Sequence, residues 1–244
     1  MSGDERAAVE VYLEIGAKRT FAGALEWPGW CRVGRDEAAA LRALADHGAR
    51  YATVLRSAGI PFPGVRDAAD FVVVERLAGD ATTDFGAPGK APSADGRPLD
   101  GPGLERLRAI LVACWTAFDR EFERASGKEL RKGPRGGGRD LDSVVQHVLA
   151  AEGGYLSKVG RGLPATDAAP ARDGASADGR KLPGAGAEPG RSRATVLDAI
   201  DASAHGIVAP QGPRGGSRWS ARYAVRRMAW HVLDHAWEIE DRTT

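Results

Sequence analysis

At 244 residues with a net charge of +1, the chain has room for one large domain or two small ones. It lacks the basic excess that would point to a bulk nucleic-acid binder. Its two cysteines, Cys31 and Cys114, are too few and too far apart for a disulfide framework, and they imply a reducing compartment. The first residues show no basic segment followed by an apolar run, so no signal peptide is expected. No apolar run approaches the ~20 residues that span a bilayer. The expectation is a cytoplasmic protein with no membrane contact.

Val9–Ile15 mixes β-branched and aromatic residues in rough alternation and reads as a strand. A turn at Gly16-Ala17-Lys18 leads to a second strand over 20–25, making a hairpin. Trp27-Pro28-Gly29-Trp30 reads as a tight turn in which Pro28 presets φ and Gly29 supplies a positive φ. A short third strand over 31–33 follows. Asp36 then opens a helix, with Glu37 favoured in its first turn by the dipole. Its apolar stripe runs through Leu41, Leu44, Tyr51 and Leu55 to Gly59, and Pro61 and Pro63 cannot continue it. Residues 71–75 are a fourth strand. The order β-β-β-α-β predicts a small α+β domain over residues 1–80.

This segment resembles the HicB-like antitoxin domain. The residues that carry the resemblance are Tyr12-Leu13-Glu14, Phe21-Ala22, the Pro28-Gly29-Trp30-Cys31 turn, Gly34, Asp36-Glu37-Ala38 and the Ile60-Pro61-Phe62-Pro63 exit. The resemblance implies the fold and, in relatives, binding of a protein partner. The added DNA-binding element of some relatives has no counterpart here.

Residues 81–102 are dense in Gly, Pro, Asp and Ser and read as a linker or a long ordered connection. Beyond them the periodicity is helical. Leu104, Leu107, Leu111, Cys114, Trp115, Phe118 and Phe122 recur at three- and four-residue steps, which predicts an amphipathic helix over 103–125. A second helix over 140–159 carries His147, and a third spans 191–206. Residues 160–190 lack periodicity and read as a long crossover. The fourth helix, 222–242, follows a Ser217 or Ser220 cap. Four helices with one long connection predict an up-down-down-up four-helix bundle over 103–244.

A short repeat precedes each histidine-bearing helix: GPRGGGR at 133–139 and GPRGGSR at 212–218. Gly-rich turns with an arginine can hold an anion, which makes Arg135 and Arg214 candidate anion ligands. A flexible helix lead-in explains the same residues.

His231 and His235 lie four residues apart on the last helix, so both rings share one face. Ala224, Met228 and Ile239 continue that face, which turns the pair inward, either as packing or as two legs of a metal site. His147 lies ~12 Å from the start of its helix, and His231 and His235 lie ~15 and ~9 Å from the end of theirs. Antiparallel packing of these two helices would bring the three imidazoles to one level. Three histidines with an open fourth position make a catalytic type of metal site. A zinc-protease reading fails, because Val232 stands where HExxH needs its glutamate. Glu238 is placed to hold an imidazole N–H from behind, or else to pair with Arg242 in solvent.

These residues give the C-terminal part a resemblance to the DinB/YfiT-like superfamily of four-helix bundles. The resemblance is carried by DSVVQHVLAAEGGY at 142–155 and AWHVLDHAWE at 229–238. It implies a divalent metal (zinc, nickel or iron) on His147, His231 and His235. It also implies a thiol-dependent isomerase or S-transferase that uses a low-molecular-weight thiol such as mycothiol on a small-molecule substrate. Trp219, Trp230 and Trp237 could line its pocket, although core packing is their ordinary role. His47 reads as a surface or packing residue and His205 as a helix C-terminal cap. Neither cysteine has a strong basic activator beside it. The competing expectation is a non-catalytic module whose HicB-like domain makes homodimer or partner contacts, with an exposed hairpin edge available to pair with another chain.

Overall fold

A computed structural model of the chain describes residues 8–65, 67–132, 138–160, 189–213 and 215–243, with the backbone alone at 189–191. The alternating segments at its start form a four-stranded sheet of order β3-β2-β1-β4. Its strands are β1 (Val9–Ile15), β2 (Thr20–Ala24), β3 (Cys31–Gly34) and β4 (Phe71–Ala78). The hairpin pairs β1 with β2 antiparallel, Leu13 opposite Ala22, and β3 continues antiparallel on β2. β4 lies parallel to β1. A parallel pair needs a crossover, and two helices supply it, α1 (Glu37–Asp46) and α2 (Gly48–Arg56). β4 runs three residues past its expected end because β1 offers partners as far as Ile15 opposite Ala78.

Asp36 caps α1 as expected, its carboxylate accepting from the Ala39 N–H at 2.7 Å. The continuous helix predicted from Asp36 to Gly59 is instead broken at His47. The reason is a long-range contact. The buried Trp30 indole donates to the Leu44 carbonyl at 2.8 Å, the acceptor that Gly48 would use in an unbroken helix. Trp30 also stacks on Tyr51, ring centroids 5.7 Å apart, while the Tyr51 hydroxyl donates to the Pro28 carbonyl at 2.7 Å. Gly29 has the positive φ expected of it, 93°. Gly34 is needed for a different reason. A Cβ there would lie 2.2 Å from the Ala40 nitrogen, so α1 approaches β3 too closely for any side chain.

Residues 79–102 are the ordered connection rather than a loose one. They contain α3 (Ala81–Phe85) and a 3-10 turn (Ser93–Gly96), and carboxylates stitch them to the sheet. Buried Glu14 accepts from the Thr83 hydroxyl at 2.5 Å and from the Gly89 and Lys90 N–H groups at 2.9 and 3.0 Å. Asp84 accepts from the Ala17 and Lys18 N–H groups, and Glu75 from the Ser93 N–H.

The rest is helical: α4 (Gly101–Ala125), α5 (Leu141–Val159), α6 (Pro189–Ala204) and α7 (Ala221–Arg242). α5 starts at the Asp140 cap and stops at Gly160, whose φ is 92°. Ser220, not Ser217, caps α7. The crossover expected at 160–190 lies, beyond Gly160, largely outside the described residues, as do Arg135 and Arg214. Among the described residues no helix is long and apolar enough to cross a membrane.

The chain forms two compact units, one made of Met1–Ala117 with Val225–Leu233, the other of Phe118–Ala224 with Asp234–Thr244. In the first, the Val225–Leu233 part of α7 lies against the sheet. Trp230 packs edge-on to Phe21 at 6.0 Å and joins a cluster with Cys31. Arg226 is buried and paired bidentately with Asp95, both N···O distances 2.7 Å, and it donates to the Ala24 and Leu25 carbonyls at 2.8 and 2.7 Å. In the second unit α5 packs on α6, and Arg193 holds Asp119 bidentately at 2.5 and 2.8 Å.

Removing one partner of a buried ion pair strands the other charge, at a cost of about 3–5 kcal/mol. Arg226→Met should therefore lower unfolding stability by roughly that amount in urea titrations. Adding Asp95→Asn to it should cost little more, since the stranded charge is then removed. Equal and additive losses would show that the pairing is not what matters.

Candidate metal centre

α7 is an unbroken helix, so His231 and His235 stand one turn apart on one face and point together. They are 7% and 8% exposed. His147, on α5, is half-buried. Its ring meets that of His235 edge-on, with centroids 4.9 Å apart. One nitrogen from each of His147, His231 and His235 lies within 4.8 Å of the others. Nitrogens around a tetrahedral zinc, each about 2.0–2.1 Å from the ion, would be about 3.3 Å apart. The three histidines therefore lie close enough together to hold one metal ion.

The donor chemistry also fits. Neutral imidazoles suit zinc, nickel and iron. Burial, then the positive charge of Arg139, then His235 push His147 down to about 4, against the opposing pull of Glu238. Its ring is therefore neutral at pH 7, with a lone pair to give. Glu238 accepts from His235 Nδ1 at 2.8 Å. That bond places the proton on Nδ1 and leaves Nε2 as the ligand atom. Glu238 also accepts from Arg242 at 2.6 Å, so it bonds both groups weighed for it from sequence, although the Arg242 side chain is mostly buried rather than in solvent. The His235 bond, followed by burial acting the other way, sets its pKa, which lies below the ordinary carboxylate range.

The other candidates lie elsewhere. His47 and His205 each place Nδ1 on a carbonyl four residues back, Ala43 at 2.9 Å and Asp201 at 2.8 Å. Both thiols are buried. Burial foremost, with Glu14 adding to it, pushes Cys31 up to about 12, and burial raises Cys114 too. Neither is a ready nucleophile. Trp230 belongs to the sheet cluster, Trp237 is buried, and Trp219 packs between Tyr155 and Tyr223 at 5.2 and 5.0 Å. Sequence reasoning missed how much Arg242 does. Its four-residue spacing from Glu238 was the one local signal. The chain matches no protein-family model, no curated protein and no solved structure.

Two outcomes follow for this centre. Glu238→Ala should weaken divalent-metal binding about 10–100-fold, the usual effect of losing a carboxylate behind a histidine ligand; isothermal titration measures it. In metal-free protein, His147 should titrate by NMR near pH 4. A histidine with a depressed folded pKa takes up its proton more readily when unfolded. Its contribution to stability is therefore complete above pH 6.5 and is lost as pH falls from there to about 4. A His147 midpoint at or above 6.5 would contradict the described environment.

Proposed function

We propose that this chain is a divalent-metal protein of the DinB/YfiT-like kind, acting as a thiol-dependent S-transferase or isomerase. In this reading α4 to α7 form an up-down-down-up four-helix bundle, and a HicB-like domain precedes it. His147, His231 and His235 hold zinc, nickel or iron. The single observation that carries the reading is the convergence of their nitrogens within 4.8 Å, with His147 more than eighty residues before the other two in sequence. The contact between His147 and His235 is what antiparallel α5 and α7 would give. A cytoplasmic location fits the two reduced cysteines.

A bound divalent ion in such a site supplies Lewis acidity and lowers the pKa of a thiol or water beside it. The chain's own residues do the rest. His147 stays unprotonated well below neutral pH, so it does not lose its lone pair to solvent protons. Glu238 fixes the ring of His235. The small-molecule substrate and the low-molecular-weight thiol would approach the open position opposite the three rings.

A second reading, in which the HicB-like domain makes homodimer or partner contacts, has one observation in its favour. β4 is an edge strand, and Val72 and Val74 on it are 47% and 46% exposed. A sedimentation shift from dimer to monomer in Val72→Lys/Val74→Lys protein would favour it.

Purified protein should hold about one divalent ion per chain by elemental analysis, the stoichiometry of an open three-histidine site. His147→Ala, His231→Ala and His235→Ala should each lose most of it. Absence of stoichiometric metal after incubation with zinc, nickel or iron, together with an unchanged metal content in His147→Ala, would refute the metal reading.

A further inference from the structure

We infer that Arg242 is a positioning residue for the histidine centre, holding Glu238 so that His235 presents Nε2. The inference rests on the metal reading above and adds a part to it. Arg242 is on the last turn of α7, one turn beyond Glu238 and two beyond His235. Its guanidinium donates three bonds at once: Nη1 to Glu238 Oε1 at 2.6 Å, Nε to the Arg131 carbonyl at 2.9 Å, and Nη2 to the Arg139 carbonyl at 2.7 Å. Its main chain is fastened too. The Arg131 N–H donates to the Arg242 carbonyl at 2.8 Å, and the Arg131 side chain donates to the Asp241 carbonyl at 2.5 Å.

The geometry matters more than the charge. A guanidinium is a rigid planar fork, so two of its bonds fix the direction of the third. The carbonyls of Arg131 and Arg139 both belong to the α4–α5 connection, and both are main-chain groups. Arg242 therefore aims Nη1 at Glu238. Glu238 in turn offers its other oxygen, Oε2, to His235 Nδ1 at 2.8 Å. Arg242 lines a cavity of about 600 Å³ together with Lys128, Arg139 and Asp140. Three hydrogen bonds hold its guanidinium at the edge of that space. A lone Glu238 would be a mobile, half-exposed carboxylate, and its hydrogen bond to His235 would be one of several rotamers.

The test uses Arg242→Ala and Arg242→Lys in the full-length chain. Lysine keeps the charge but cannot make a planar three-way fork. The first measurement needs no metal: ¹⁵N NMR of metal-free protein reports which ring nitrogen of His235 carries the proton. Wild type should show the Nδ1–H form at neutral pH, and both variants should move toward Nε2–H. The second is a Co²⁺ titration followed by visible absorption. Both variants should bind about tenfold more weakly than wild type, the lower end of what a lost partner behind a ligand costs. A purely structural role would lower thermal stability and leave the His235 tautomer and the Co²⁺ affinity alike unchanged. Arg242→Lys with wild-type tautomer and affinity would overturn the inference. If wild type itself binds no Co²⁺, the metal reading fails, while the tautomer shift still decides what Arg242 does to His235.

Discussion

The rotation of α7 about its own axis is the constraint on which the rest depends. At about 100° per residue, Ala229, Trp230 and Leu233 fall within about 60° of Arg226 around the helix. This face meets the sheet unit: Trp230 reaches Phe21, and Ala229 and Leu233 lie beside Gly29. His231, His235, Glu238 and Arg242 fall between about 120° and 180° from Arg226, on the opposite face. A turn of the helix by one residue would take Arg226 off its acceptors.

Arg226 is suited to setting that rotation. A well-packed apolar pair in the same place could stabilise the fold as much. A guanidinium bound to a carboxylate and to two strand-end carbonyls adds direction, since each bond weakens steeply with angle. Arg242 repeats the device sixteen residues later on the other face, again with one carboxylate and two main-chain carbonyls. One helix thus carries a guanidinium anchor near each end, and the two histidines stand between them.

Much of this was legible in the sequence where the signal is local. The i, i+4 histidines, the Asp36 cap, a serine cap for α7 narrowed to Ser217 or Ser220, the positive φ at Gly29 and the four strands all follow from residues a few positions apart. The proximity of His147 needed only helix rise and an assumed antiparallel packing. What was not legible depends on distant partners. Asp95 and Arg226 are 131 residues apart, and nothing in the Gly/Pro-rich stretch around Asp95 announces a buried carboxylate. The break at His47 comes from an indole fourteen residues before its acceptor. Arg242 was visible as a partner for Glu238, but its two carbonyl acceptors lie more than a hundred residues back.

The most direct test of the central claim is X-ray absorption of the zinc-loaded protein. The account predicts three imidazole scatterers at about 2.0–2.1 Å with one further light-atom ligand, and loss of one imidazole shell in His147→Ala. Zinc bound through oxygen ligands alone, or a wild-type imidazole count that His147→Ala leaves untouched, would contradict it.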